Sequence, residues 1–198
     1  MKEDFVFLSK IYKDIYKWFV AKTPGDIICL SFYKRYDKDV WEKVKNKIIE
    51  LENKVQLSKI EKEFIECKYK GNAYRVINYF SRRKGHVFKT NTYQSCSKDI
   101  DSVKRISIHG DKILIELKAS KEMYAIDLMM LLRFMIKNEL INIGDMKFYS
   151  FFNLEKYIDE KEVIVPISDK NIANISVVNF EKGTYTEIPQ NQWFRNTL

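Results

Sequence analysis

Apolar positions follow a helical period in the first part of the chain and a shorter period later. In residues 5–20, "FVFLSKIYKDIYKWFV", Phe5, Leu8, Tyr12, Ile15 and Phe19 fall on one helical face. "TPGD" breaks that pattern, and "IICLSFYKRY" after it reads as a short strand. "DVWEKVKNKIIELENKV" is again amphipathic, with Val40, Val44, Ile48 and Leu51 on one side. Asp39 near its start suits the positive end of the helix dipole. "LSKIEKEFIECKYKGNAYRVINYFSRR" predicts one or two further helices. Ser58 opens this stretch as N-cap, with Glu61 three residues on as its capping-box partner.

From residue 86 the alternation becomes strand-like. "HVFKTNTY" predicts a strand, "KILIELKA" a stronger one, and "EVIVPI" and "NISVVNF" two more. Between them "MYAIDLMMLLRFMIKNELI" predicts a Met/Leu-rich helix, whose apolar stripe is either core or a docking face for a partner. A helical first part followed by a β-rich second part predicts an α+β fold in one domain, 1–198, with no repeat and no linker.

Composition narrows the class. The chain has 198 residues, 45% apolar and 14% aromatic, enough to bury a core and too apolar for disorder. It contains no run of about 18 apolar residues, so no membrane helix is expected. Acidic residues near the N-terminus and a short, interrupted apolar stretch argue against a signal peptide. Cys29, Cys67 and Cys96 are odd in number and lack metal-type spacing, which predicts a reduced, cytoplasmic protein without disulfides. His86 and His109 are isolated, and no metal site is expected. The net charge of +8 favours a polyanionic partner, nucleic acid above all, or reflects only a Lys/Ile/Asn-rich composition with its lysines dispersed.

Candidate chemistry gathers in three places. In "KYIDEKEVIVP", Glu160 and Glu162 share a face if the run is a strand, so they are either solvated or functional. In "YQSCS", Ser95 and Ser97 share a face in the same way, and Cys96 turns to the other side as a core residue. Tyr69, Tyr74 and Asn78 are spaced five and four apart on an expected helix. Arg82 and Arg83, followed by Lys84, form either a solvated turn or a phosphate contact.

These stretches resemble the mono-ADP-ribosyltransferase toxins, in particular the enzymatic components of actin-modifying binary toxins. The resemblance covers about Leu57 to Val178. It has four parts in order: the segment from Leu57 to Arg83, "TYQSCS", "KILIELKASKEMYAI" and "YIDEKEVIVP". It implies an N-terminal helical flank over 1–56 and an ADP-ribosyltransferase-like core of packed sheets over 57–180. NAD is then the substrate, with Tyr69, Tyr74, Asn78 and Ser97 lining its site. Glu162 contacts the ribose and stabilises an oxocarbenium-like state, with Ser95 positioning it. Glu160 orients or deprotonates the acceptor, and Tyr157 presents it by stacking. A glutamate at the first position of the pair implies arginine as acceptor.

The family also carries an arginine, typically in Tyr-Arg-Gly, on a strand before Ser-x-Ser, where it grips the NAD phosphates. No arginine lies between Arg83 and Ser95. Arg82 and Arg83 are the first candidates for that role, Lys89 the next, and Arg75 in "AYRV" the last, since it suits a strand register and the segment reads as helix. The resemblance thus implies an NAD-dependent transferase modifying a protein arginine or, given the charge, nucleic acid. It is expected to act inside a cell as a toxin with a neutralising protein partner, a phage effector or a defence factor, without an export signal or an entry domain. A basic nucleic-acid-binding module without catalysis and an NAD glycohydrolase are the alternatives.

Overall fold

The computed structural model describes residues 3–10, 38–78, 92–106, 109–119, 124–141, 161–168 and 170–193. They belong to two compact units interleaved in sequence: Met1–Lys68 with Ile126–Asp159, and Tyr69–Ala125 with Glu160–Leu198.

The described residues of the first unit are mostly helical. The stripe read from the sequence becomes α1 (Lys38–Glu52), where Val40, Trp41, Val44, Ile48 and Leu51 are buried. Helix α2 (Lys59–Ile65) starts at the expected capping box: the Ser58 side chain accepts from the Glu61 N–H, and the Glu61 carboxylate accepts from the Ser58 N–H at 2.8 Å. The Lys54 ammonium donates to the same carboxylate at 2.8 Å, and these donors draw the Glu61 pKa down to about 2. Helix α4 (Leu128–Lys137) is capped by Asp127 and buries Leu128, Met129, Leu131, Leu132, Phe134 and Met135. Its Met/Leu stripe is therefore core. Phe5, Phe64 and Phe134 close the unit as a triad of rings with centroids 5.1–5.2 Å apart.

The strands are β1 (Lys68–Tyr69), β2 (Asn72–Asn78), β3 (Thr92–Ser97), β4 (Lys112–Lys118), β5 (Ala125–Asp127), β6 (Glu162–Ile167), β7 (Ile172–Asn179) and β8 (Thr184–Glu187). Helix α3 (Ile100–Ile106) follows β3. Hydrogen bonding places the strands in one eight-stranded sheet, in the order β1-β5-β6-β3-β2-β4-β7-β8. The fold is α+β, as expected, and the described strands belong to one sheet where packed sheets were expected. Its ladders are uneven. The β2–β4 ladder holds seven antiparallel pairs and the β3–β6 ladder six, whereas β2 and β3 share the single pair Tyr74↔Ser97.

The sheet core of the second unit is built by alternation. Ala73, Cys96, Ile113, Ile115, Leu117, Val163, Val165 and Ile175 join one buried cluster. On the other side Val103 of α3 packs with Leu114 and Val178, against Tyr74 and Val76.

Residues 68–78 correct the helical reading. The helix ends at Ile65, and Tyr74, Val76 and Ile77 enter a strand paired along its whole length with β4. β-branched and aromatic residues fit that half-buried surface, and tertiary pairing overrides the helical spacing. Gly71 at the preceding turn leaves room for the Tyr69 ring end: a Cβ there would lie 2.6 Å from the Tyr69 hydroxyl, which donates to the Asn72 carbonyl at 2.6 Å, and the ring would have to shift. Strands β1, β2, β5 and β8 and helix α3 were not anticipated; "KILIELK" and "EVIVPI" were. Of "HVFKTNTY", only Thr92 and Tyr93 are described, both in β3, and "NISVVNF" lies in a strand that starts two residues earlier and ends at Asn179, before Phe180. Of the helix expected over 5–20, residues 6–10 are described and helical, with Phe5 and Leu8 buried, and the segment 11–37, with the rest of that helix and the expected strand, lies outside the described residues. No helix among the described residues is long and apolar enough to cross a membrane.

Candidate active site

Strand β6 lies beside β3 with Ser97↔Glu162, Cys96↔Val163 and Ser95↔Ile164 opposed. Opposed residues share a face, so Ser95 and Glu162 are diagonal neighbours on one side of the sheet. The Ser95 Oγ donates directly to the Glu162 Oε1. Glu162 is only 3% exposed, so its carboxylate sits in a low-dielectric setting with its orientation fixed by the ladder. This is the relation expected of Ser95 and Glu162 from the sequence.

On the other side of β3 the pairs Ser97↔Tyr74, Tyr74↔Glu116 and Glu116↔Asn174 extend the row. Glu162, Ser97, Tyr74, Glu116 and Asn174 thus stand in one line across five strands. Ser97 is buried, but its hydroxyl faces the main chain of the following turn, donating to Asp99 O at 3.0 Å and accepting from Asp99 N at 3.1 Å.

Arg75 follows Tyr74 on β2, and its guanidinium reaches across to β3. Its Nη1 donates to the Ser95 carbonyl at 2.6 Å, just beyond the single β2–β3 pair. Arg75 and Glu162 both act on the Cys96 thiol between them. Burial pushes that thiol up to about 12, Arg75 opposes the rise, and Glu162 adds to it. A guanidinium has five N–H donors, so one main-chain anchor does not exhaust it.

The structure therefore joins Ser95 to Glu162 through its side chain and to Arg75 through its main-chain carbonyl; by alternation Arg75 starts from the face that carries Cys96, and Ser95, Ser97, Tyr74 and Glu162 belong to the other. The helical reading that set Arg75 last among the basic candidates is not met: Arg75 is on a strand, and its guanidinium donates to the Ser95 carbonyl. Arg82, Arg83 and Lys89 lie outside the described residues. Tyr69 is on β1 with its hydroxyl engaged by the Asn72 carbonyl. Asn78 ends β2 opposite Lys112.

Tyr157 and Glu160 also lie outside the described residues. Strand β6 begins at Glu162. Lys161 before it has φ 47°, a left-handed conformation that interrupts alternation. Among the described residues no group of three or more His, Cys, Asp or Glu could hold a metal ion. His109 is exposed on a turn, with Nδ1 3.4 Å from Glu181.

Sequence reasoning missed Asp99. It precedes α3, and its Oδ1 accepts from Asp101 N at 3.2 Å, its Oδ2 from Ser102 Oγ at 3.0 Å and from Lys161 Nζ at 2.9 Å. Lys161 and Ser102 draw the Asp99 pKa down to about 2. The signal was present in "SKDIDSVKRI", an N-cap aspartate before an apolar-periodic stretch. Comparison of the chain with protein-family models gives no match, and comparison with curated proteins gives none.

Proposed function

We infer that the protein is an NAD-dependent mono-ADP-ribosyltransferase. The observation that carries this reading is the Arg75–Ser95–Glu162 constellation on three adjacent strands, with Ser95 touching both other members. A tyrosine and an arginine, Tyr74 and Arg75, stand on a strand before the one bearing Ser95, as Tyr-Arg-Gly does in the family that the sequence resembles.

In the reaction the bond between nicotinamide and ribose C1′ breaks, and nicotinamide leaves with the bonding electrons. Positive charge develops on the ribose, and a fixed carboxylate at its 2′-hydroxyl stabilises that charge. Glu162 supplies the carboxylate, and Ser95 holds it in place. Arg75 offers a planar donor for the pyrophosphate of NAD. The acceptor then attacks C1′ and loses its proton, a step assigned to Glu160 with Tyr157 presenting the acceptor. The acceptor is a macromolecule inside the cell in which the protein acts, a protein arginine or a nucleic acid.

Arg75, on a strand before Ser95, supports the catalytic reading over a non-catalytic binding module. Incubation with labelled NAD and a cell lysate, followed by protease or nuclease on separate portions, tests the reading. Label in a macromolecule is expected. Nicotinamide release without macromolecular label would instead mark an NAD glycohydrolase, and no release with salt-sensitive nucleic-acid binding would mark the binding module.

A further inference from the structure

We propose that Asp99 and Lys161 form a clamp that positions the Glu162 carboxylate for catalysis. The inference deepens the reading above and rests on it for its kinetic arm. Lys161 is a non-glycine residue at φ 47°, a conformation that persists only when its surroundings hold it. Two contacts do so: the Lys98 N–H donates to the Lys161 carbonyl at 3.0 Å, and the Lys161 ammonium donates to Asp99 at 2.9 Å. The next residue is Glu162, which enters β6 opposite Ser97.

Asp99 is itself fixed. Its main-chain N–H donates to Ser97 Oγ, its carbonyl accepts from the Val103 N–H at 3.3 Å, and its carboxylate caps the first turn of α3. One carboxylate thus ties the end of β3, the start of α3 and the residue before β6 together. The ion pair is partly exposed, with Lys161 at 51% and Asp99 at 24%, so its worth to global stability is small. Its consequence is geometric: it sets the direction in which the chain enters β6 and so where Glu162 meets Ser95.

D99N separates these roles, because asparagine caps a helix as well as aspartate but does not pair with the ammonium. K161G keeps access to positive φ and removes the ammonium. The test measures kcat and KM for nicotinamide release in the wild type, D99N, K161G, the double variant and K161R. The 13C signal of the Glu162 side-chain carboxyl is recorded in the same proteins. The clamp predicts that each single variant lowers kcat about tenfold with KM for NAD and the melting temperature nearly unchanged. The double variant is then no worse than either single one, K161R restores most of the rate, and the Glu162 signal moves alike in both singles. A D99N protein with wild-type kcat and an unmoved Glu162 signal overturns the clamp. If the wild type releases no nicotinamide, the enzymatic reading fails, and the Glu162 signal alone decides the clamp: moved in D99N it stands, unmoved it falls.

Discussion

Two serine–glutamate pairs among the described residues differ in how they are assembled. Ser58 and Glu61 meet within one helix turn, where Lys54 adds a charged donor. Ser95 and Glu162 are 67 residues apart, and only the β3–β6 ladder brings them together. The first pair satisfies the open N–H groups of a helix start and so serves folding. The second sits on the sheet, beside a guanidinium anchored to the same serine's main chain. A hydrogen-bonded Ser–Glu pair is not by itself a site; its surroundings decide what it does.

The sharpest way to break this comparison is to neutralise each carboxylate. Glu162→Gln is expected to lower kcat for nicotinamide release by roughly 10²–10³ with little change in melting temperature. Glu61→Gln is expected to leave kcat unchanged and lower the melting temperature. Parallel kinetics and thermal scans check both. Arg75→Lys comes next: it keeps the charge but loses the planar fork, so KM for NAD is expected to rise about tenfold, measured by initial rates.

Truncating the two serines sharpens the contrast at smaller amplitude. Ser95→Ala is expected to cost about tenfold in kcat, and Ser58→Ala about 1 kcal/mol of stability by urea denaturation with kcat intact. The smallest effect is acid sensitivity. Glu61 and Asp99 titrate near 2 in the folded protein, against ordinary values of 4.5 and 3.8. A depressed folded pKa stabilises the protein above the ordinary value, and that stability is lost as pH falls toward about 2. The urea midpoint is thus expected to fall from about pH 4.5 downward, and less steeply in Glu61→Gln.

What the sequence disclosed follows the same division between local and distant. The α1 stripe, the Ser58–Glu61 box and the strands from Lys112 and Glu162 rest on local periodicity and capping, and they were legible. Strand β2 was not, because Tyr69, Tyr74 and Asn78 have helical spacing while seven pairs with β4, invisible locally, fix the strand. That spacing hid the strand on which Arg75 stands. Ser95 and Glu162 were found through their motifs, but the Lys161 backbone and its tie to Asp99 depend on a contact 62 residues distant.

The central claim is that a buried carboxylate held by Ser95 breaks the nicotinamide–ribose bond. Its most direct test is chromatographic measurement of nicotinamide released from NAD by the wild-type protein, with Glu162→Gln of equal melting temperature as the comparison. The account predicts steady release by the wild type and release near background for the variant. Equal release by both proteins, or none by the wild type, would contradict it.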